Sequence, residues 1–386
     1  MDTVRAADQL SAKEHSKGMD KYMRDGTSRA LALDNRGPIK LNKDGTLDEA
    51  ILEAYWKHGF YVFKEVIGVH ELAELRADID RVLREAPKEP TELIQGLPAA
   101  GAPGLKRPPY RFAKPLSDPL GGTNRNKGRH PVKMSNPAPS PNSPKWTVEL
   151  LHGNLHLMDS CLRLYGHPRL LAVASAVNGP EFVPYNEVTF LKEPGLGPSV
   201  AWHQDGTTHW DAADWDQGAH GFNFMTQLYP STAGNGVWVV PGTHKLGKVD
   251  IPAMVKKSGS EQIREAVPMV CDSGDVIISN RQLVHGSFAN SSSDRRVTLN
   301  AGFFPHKRVL GVSTSQLDGI EEVYTAHRIY ARSRIIALAI NARQKHFPNE
   351  VPFAYAPFKN RGEGILWNEN SRESLLKNYN LDDMYI

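Results

Sequence analysis

The sequence predicts a mainly β domain with flanking helices, in which short strands form a sandwich or a barrel. One observation is a series of short runs rich in β-branched and aromatic residues between positions 182 and 304, separated by Gly, Pro and Asn. Another is that apolar residues at helical spacing lie before and after this series, as in Val69–Leu83. The predicted strands are Phe182–Lys192, Val200–Asp205, Phe222–Tyr229, Val237–Val240, Val276–Ser279, Leu283–Phe288 and Arg296–Phe304.

Composition excludes several classes of function. The 386 residues include 46 basic and 43 acidic side chains, a formal charge of +3, so bulk electrostatics do not favour a nucleic-acid or membrane-surface protein. Two cysteines, Cys161 and Cys271, cannot build a disulfide scaffold and are typical of a reducing compartment. We find neither the apolar core of a signal peptide nor a run long enough to span a bilayer. We therefore expect a cytoplasmic protein that acts on a small molecule.

The chain divides into three regions. Residues 1–45 are polar and predict an N-terminal arm, whereas residues 46–310 predict the main domain. Within that domain, residues 87–144 contain thirteen of the 27 prolines and no hydrophobic period, which predicts an irregular, lid-like insertion. Residues 311–386 predict a helical extension that packs on the same domain or mediates self-association. A homodimer is compatible with this pattern, but the oligomeric state stays open.

Two helical stretches are predicted before the series of strands. The sequence T-L-D-E at Thr46–Glu49 has the form of a capping box that opens a helix, which Gly59 ends. Helical spacing also extends from Val148 to about Val177 and includes His152 and His156. No Glu follows His152 as it does in an H-E-x-x-H zinc motif, so both are interpreted as ordinary helix histidines.

The sequence V-A-W-H-Q-D-G-T-T-H-W at Val200–Trp210 contains a candidate metal site. Residues two apart on a strand point to the same face, so His203 and Asp205 project together. An imidazole and a carboxylate are two-thirds of the 2-His-1-carboxylate triad that holds non-haem Fe(II) with open positions. With fifteen histidines in the chain, however, an accidental surface pair is the alternative that the rest of the sequence must outweigh.

The remaining ligand is expected from a distant strand, because a jelly roll brings distant strands to one mouth. His285 is the best candidate, and Ser287 shares its face. Across a predicted hairpin, Arg296 belongs to the polar inner face and Arg295 to the opposite one. A guanidinium at such a position can hold a carboxylate through two hydrogen bonds.

These residues belong to motifs that resemble the phytanoyl-CoA dioxygenase-like branch of the Fe(II)/2-oxoglutarate oxygenases. The resemblance extends from about Asp48 to Pro305. It rests on Y-W-K-H-G-F-Y-V-F at Tyr55–Phe63, H-P-R-L-L at His167–Leu171, F-L-K-E-P-G at Phe190–Gly195, W-H-Q-D at Trp202–Asp205, N-G-V-W-V-V-P-G-T-H at Asn235–His244, and V-H-G-S with its downstream Arg296. It implies a double-stranded β-helix (a cupin-like jelly roll) as the core of the domain.

The resemblance also implies the chemistry and the roles of individual residues. Fe(II) would be held by His203, Asp205 and His285, 2-oxoglutarate would be the cosubstrate, and dioxygen would be the oxidant. The distal carboxylate of 2-oxoglutarate would contact Arg296 and Ser287. Lesser cosubstrate contacts are expected from Asn186 and from Met225, which lies near a position where some members of the family have tryptophan.

We expect hydroxylation of an unactivated C–H bond, with release of succinate and CO2. Desaturation, ring formation and a non-catalytic jelly-roll metal-binding or sensor protein remain as alternatives, although a bare metal binder has no need of a carboxylate clamp. Candidate substrate residues are His209 and Trp210 beside the iron motif, and Arg107 and Arg111 in the insertion. The last two lie in a strongly basic stretch whose single acid is Asp118, which indicates either contacts with an anionic substrate or a solvated loop whose charges keep it soluble.

Overall fold

The computed structural model describes residues 10–94, 97–100, 105, 108–206, 215, 220–315, 321–359, 364–377 and 379. Their helices are α1 (Ala12–Leu31), α2 (Glu49–His58), α3 (Val69–Glu85), α4 (Asn154–Leu157), α5 (Asp159–Tyr165), α6 (Pro168–Asn178), α7 (Ile251–Ser258), α8 (His306–Val309), α9 (Ala326–His346) and α10 (Glu369–Ser371). Their strands are β1 (Arg36–Gly37), β2 (Phe60–Phe63), β3 (Glu92–Ile94), β4 (Leu97–Ala100), β5 (Tyr110–Ala113), β6 (Thr147–His152), β7 (Val183–Lys192), β8 (Val200–His203), β9 (Phe222–Gln227), β10 (Trp238–Val239), β11 (Val267–Pro268), β12 (Val276–Asn280), β13 (His285–Ser287), β14 (Arg296–Phe304), β15 (Ser313–Ser315) and β16 (Glu321–Val323).

The consecutive strands β7 to β14 are divided between two sheets. The larger sheet contains the order β12-β9-β14-β7, and the smaller sheet has the order β11-β10-β13-β8. Neighbours within a sheet are thus mostly distant along the chain, which is the topology of a double-stranded β-helix, or jelly roll. The predicted fold class is confirmed, and β11 is the one strand of this core that the sequence did not predict.

Apolar side chains fill both sides of the larger sheet. On one side, Phe224 and Leu299 pack with residues of the surrounding helices, including Leu75 of α3 and Ile336 of α9. On the other side, Met225 and Ile277 of the larger sheet share an apolar cluster with Val239 of the smaller sheet. The alternation of side chains along each strand therefore separates a helix-covered face from an interior face that looks toward the smaller sheet.

The larger sheet continues beyond the jelly roll at both edges. Strands β2 and β1 extend it next to β12, and β6, β5, β4 and β3 extend it next to β7. Three of these strands, β3 to β5, lie within the insertion 87–144, so the prediction that the insertion is irregular throughout was wrong. Their sequences show no hydrophobic period, but pairing of β3 with β4, of β4 with β5 and of β5 with β6 supplies the backbone hydrogen bonds that make them strands.

Two predicted helix boundaries also differ in the structure. The N-cap of α2 is Asp48 rather than Thr46, since the Asp48 carboxylate accepts a hydrogen bond from the Ala50 amide at 2.9 Å. The helix does end at Gly59, whose φ of 85° is a left-handed conformation. The predicted helical stretch from Val148 to about Val177 begins instead with strand β6, because this segment pairs with β5 and β7 on its two edges, and the remainder forms helices α4, α5 and α6.

The outer segments of the chain pack against the jelly roll. Tyr22 of α1 stacks on Trp238 of β10 with 4.4 Å between ring centroids, and its hydroxyl donates to the Ile263 carbonyl at 2.8 Å. Helix α9 contacts α5 and β7. Among the helices of the described residues, none combines the length and the apolar character that a membrane crossing requires.

Candidate active site

The three predicted metal ligands meet between two adjacent strands of the smaller sheet. His203 ends β8 and faces His285 at the start of β13 in the strand register, and their ring centroids are 4.1 Å apart. Asp205 follows two residues after His203, and its Oδ1 lies 3.6 Å from His203 Nε2. Ligand atoms of all three residues lie within 4.8 Å of one another. This donor set matches the 2-His-1-carboxylate arrangement that suits non-haem Fe(II).

Backbone hydrogen bonds select the ring nitrogens that face this centre. Nδ1 of His203 lies 2.8 Å from the Ala201 carbonyl, and Nδ1 of His285 lies 2.8 Å from the Leu283 carbonyl. Each Nδ1 must carry the proton that it donates, which leaves Nε2 as a lone-pair donor for a metal. Burial, reinforced by the nearby His203, also lowers the pKa of His285 to about 4, so its ring is in the neutral, ligating form.

The Asp205 carboxylate is held at both oxygens. Arg129 Nη1 donates to Oδ1 at 3.1 Å, and Asn223 Nδ2 donates to Oδ2 at 3.2 Å. Arg281 in turn donates to Asn223 Oδ1 at 3.2 Å. Burial acts to raise the pKa of Asp205, but Arg281 and the two ligand histidines outweigh it and hold that pKa well below its ordinary value. Asp205 is therefore an oriented anion, as a metal ligand must be.

Buried hydrogen-bond donors near the same strands lack partners. Arg296 is 1% exposed and donates one hydrogen bond through Nη1 to the Asn235 carbonyl at 2.9 Å, while its Nε has no partner among the described residues. The buried Ser287 Oγ, on β13 after His285, likewise has none there. A buried donor without a partner costs about 1–3 kcal/mol, so these atoms indicate the position of a bound acceptor.

A second buried cation lies opposite Arg296. Lys192 on β7 pairs in register with Arg296 on β14, is 2% exposed, and donates to the Phe288 carbonyl. Burial, and then the repulsion from Arg296, lowers the pKa of Lys192 well below its usual value. Neither cation forms an ion pair with a carboxylate of the described residues. The pair is suited to a carboxylate ligand, which would relieve the repulsion.

A cavity of about 1100 Å³, part of it open to solvent, lies against several of these groups. His203 and Asp205 line it beside Lys192, and Asn186 of β7 also lines it, as expected of a cosubstrate contact. Met225 instead packs into the apolar cluster between the two sheets.

The structure separates the two adjacent arginines as the strand phase predicts. Whereas Arg296 is buried inside the jelly roll, Arg295 turns to the other face, where it forms ion pairs with Asp80 at 3.0 Å and Glu193 at 2.9 Å. Of the predicted substrate residues, Arg111 lines the cavity. The others, Arg107, His209 and Trp210, lie outside the described residues.

Several cavity residues were missed by the sequence analysis. The ring of His130, in the insertion, stacks on His203 with 4.3 Å between centroids, next to Arg129. Glu149 and His152 enter the cavity from β6. No local pattern identified His130 or Arg129, because residues that are distant in sequence position their side chains. For His152, the signal was hidden by the incorrect assignment of its segment to a helix.

Comparisons with known proteins identify the family of the chain. The sequence model of the family described as phytanoyl-CoA dioxygenase (PhyH) matches residues 55–298, which is more than half of the chain. Phytanoyl-CoA dioxygenase 1 of Oryza sativa subsp. japonica is 30% identical over 119 residues, a match that covers 28% of this chain and 40% of the rice protein. The chain thus spans less than half the length of this curated relative.

Solved structures with similarity to this chain include EctD from S. alaskensis, with bound 2-oxoglutarate and 5-hydroxyectoine (17% identity, 72% of this chain, 82% of that chain, TM-score 0.48). AviO1 from Streptomyces viridochromogenes Tue57 is 22% identical over 69% of this chain and 96% of its own, with a TM-score of 0.45. On the match of the family model over residues 55–298, the chain belongs to the phytanoyl-CoA dioxygenase (PhyH) family.

Proposed function

We propose that this protein is an Fe(II)- and 2-oxoglutarate-dependent oxygenase that hydroxylates an unactivated C–H bond of a small-molecule metabolite. The observation that carries the proposal is the coincidence, in one jelly roll, of the three ligand side chains with the unpartnered donors of Arg296 and Ser287. Membership of the PhyH family supports it. When bound, iron and 2-oxoglutarate supply the oxidation itself, which uses dioxygen and releases succinate and CO2.

The residues of the chain have distinct tasks in this proposal. His203, Asp205 and His285 hold the metal, and the hydrogen bonds on their outer atoms fix their orientation. Arg296 and Ser287 bind the distal carboxylate of 2-oxoglutarate, which satisfies donors that are otherwise buried without partners. Asn186 lines the same cavity and completes the binding of the cosubstrate.

We further propose that the insertion 87–144 covers the site. In support, Arg129 contacts Asp205 and His130 stacks on His203, so insertion residues already lie against two of the metal ligands. Covering the centre would exclude water and order the substrate. The regions 1–45 and 311–386 are, on this proposal, supporting segments of the same domain.

A turnover assay tests the function. Protein loaded with Fe(II) without oxygen, then exposed to air with 2-oxoglutarate and a panel of metabolites, should release succinate and add one oxygen atom to a metabolite, as detected by mass spectrometry. Asp205→Ala should abolish both signals, whereas exposed Asp20→Ala should retain them. Binding of metal and 2-oxoglutarate without succinate release from any mixture would contradict the proposal and favour a non-catalytic metal-binding protein.

A further inference from the structure

The walls of the cavity carry an excess of positive charge. Four cationic side chains line it, each in a residue more than nine-tenths buried: Arg111, Arg129, Lys192 and Arg281. Among the residues that the structure describes, two carboxylates line it with them, Glu149 and Asp205. Buried charges without compensation cost several kcal/mol each, so a site of this composition is expected to hold anions.

The proposed cosubstrate accounts for part of this excess. One carboxylate of 2-oxoglutarate would be bound at the metal, and the other would neutralise Arg296 next to Lys192. Arg129 is already paired with Asp205 at 3.1 Å, and Arg281 is linked to Asp205 through Asn223. Among the described cations of the cavity wall, the one that remains without a hydrogen bond or ion pair is therefore Arg111, on which Glu149 acts only through its electrostatic field.

Arg111 has no hydrogen bond or ion pair with any residue that the structure describes, although it is 8% exposed. It lies on β5, opposite Leu150 of β6. The strand register then shifts, so that Phe112 pairs with Val148 and Glu149 is left without a partner residue. A bulge of this kind redirects a side chain, and both Glu149 and Leu150 line the cavity.

His152 completes the polar group around Arg111. It is 8% exposed and lines the cavity, and its Nδ1 is buried with no partner among the described residues. Burial, with a contribution from Arg111, lowers the pKa of His152 to about 3, so the ring is neutral and has one nitrogen that can donate. Arg111 and His152 thus offer donors in a cavity that also contains the proposed metal centre.

We infer that Arg111, assisted by His152, binds an acidic group of the substrate, a carboxylate or a phosphate, and that the substrate is therefore an anionic small molecule. Glu149 beside them opposes the anion by its own charge and limits its affinity. This inference rests on the proposed function, because that function assigns the other cations of the cavity to iron and 2-oxoglutarate. It names a chemical class of substrate and the residue that selects it.

Small anions test the inference before the substrate is known. We would load the protein with Mn(II) in place of iron, saturate it with 2-oxoglutarate, and titrate inorganic phosphate and, separately, 13C-labelled acetate. The paramagnetic metal broadens the 31P or 13C resonance of an anion that is held in the same cavity, and the titration yields a dissociation constant. Whichever of phosphate and acetate has the lower dissociation constant indicates whether the site prefers a phosphate or a carboxylate.

We expect three variants to affect the dissociation constant of the anion in three different ways. Arg111→Leu should raise the dissociation constant of the better probe by about tenfold or more, since it removes a charge-assisted contact. Glu149→Gln should lower that constant, because it removes the opposing charge. Arg84→Leu, which removes an exposed arginine of α3, should leave it unchanged.

The outcomes separate this inference from the proposed function. Failure of the wild-type protein to bind Mn(II) or 2-oxoglutarate would contradict the proposed function. If both bind but neither anion is broadened, or if Arg111→Leu binds the anion as tightly as wild type, the inference alone is wrong. Should Arg111→Leu fold poorly, Glu149→Gln decides: tighter binding supports the inference, and unchanged or weaker binding overturns it.

Discussion

At the scale of single residues, the two histidines of the candidate site share one hydrogen-bond pattern. In both His203 and His285, Nδ1 contacts the carbonyl of the residue two positions earlier, which orients Nε2 toward the partner ligands. His346, by contrast, uses its Nε2 for a partly exposed contact with Glu74 at 3.1 Å. Metal binding should therefore depend on His203 and His285 and not on His346.

We expect His285→Ala to weaken Fe(II) binding by roughly a hundred-fold or more, because loss of even the groups that orient ligands costs about 10–100-fold. His346→Ala should bind Fe(II) as wild type does. Anaerobic titration with a competing chelator measures both constants. Equal affinity of the two variants would remove His285 from the metal site.

A buried acid in the cavity makes stability depend on pH. Burial raises the pKa of Glu149 to about 7, with Arg111 and Lys192 acting in the opposite direction. Because the folded-state pKa lies above that of the unfolded chain, the protonated acid stabilises the fold below pH 4.5, and this stabilisation is lost as pH rises through about 7. The loss amounts to about 3 kcal/mol in order of magnitude.

Glu149→Gln removes this ionisation. The difference in unfolding free energy between the variant and wild type should therefore favour the variant more at pH 8 than at pH 5. Urea unfolding at the two pH values measures the difference. Glu187, whose pKa is also raised by burial to about 8, is unchanged in both proteins and cancels in the comparison. A difference in stability that is the same at pH 5 and pH 8 would show that Glu149 ionises normally.

At the scale of elements, a single carboxylate fastens the insertion. Asp118 is 3% exposed and accepts hydrogen bonds from the Gly121 amide at 2.8 Å and the Met134 amide at 2.7 Å. It thereby ties together two parts of the segment that presents Arg129 and His130 to the metal ligands. The single acid of a basic stretch is thus a structural residue, which its sequence context did not predict.

Asp118→Ala should loosen the insertion, since each lost hydrogen bond to a charged group is worth about 1.5–3 kcal/mol. We expect trypsin to cleave between residues 114 and 133 about tenfold faster or more, because local opening becomes more frequent. Asp20→Ala, at an exposed position of α1, should keep the wild-type rate. Equal cleavage of the two variants would mean that Asp118 does not hold the insertion.

The elements also show what the sequence could and could not predict. Alternation along β14 placed Arg296 inside and Arg295 outside, because a strand buried on one face fixes the phase of every side chain. Strand β11 is two residues long and has no period to detect. Strand β6 was assigned to a helix because its apolar run fits either period, and only its pairing with β5 and β7 decides.

At the scale of the whole molecule, the jelly roll joins parts of the site that are 82 and 104 residues apart in sequence. Adjacent strands β8 and β13 bring His203 to His285, and β7 beside β14 brings Lys192 to Arg296. Motifs predicted His203, His285 and Arg296 because each lies on a strand of the core, whereas Lys192 was not predicted as a site residue. Arg129, His130 and His152 were not predicted, since their positions depend on how the insertion and the sheet edge pack.

On the proposed function, this fold provides one compartment for a metal and for the distal carboxylate of 2-oxoglutarate. The most direct measurement is calorimetric titration of 2-oxoglutarate, without oxygen, into the Fe(II)-loaded wild-type protein and the variants Arg296→Leu and Arg295→Leu. Losing one partner of a buried charge pair costs about 2–5 kcal/mol, or roughly thirty-fold or more in affinity. We predict that loss for Arg296→Leu and near wild-type binding for Arg295→Leu. Equal affinities, or a larger loss for Arg295→Leu, would contradict the account.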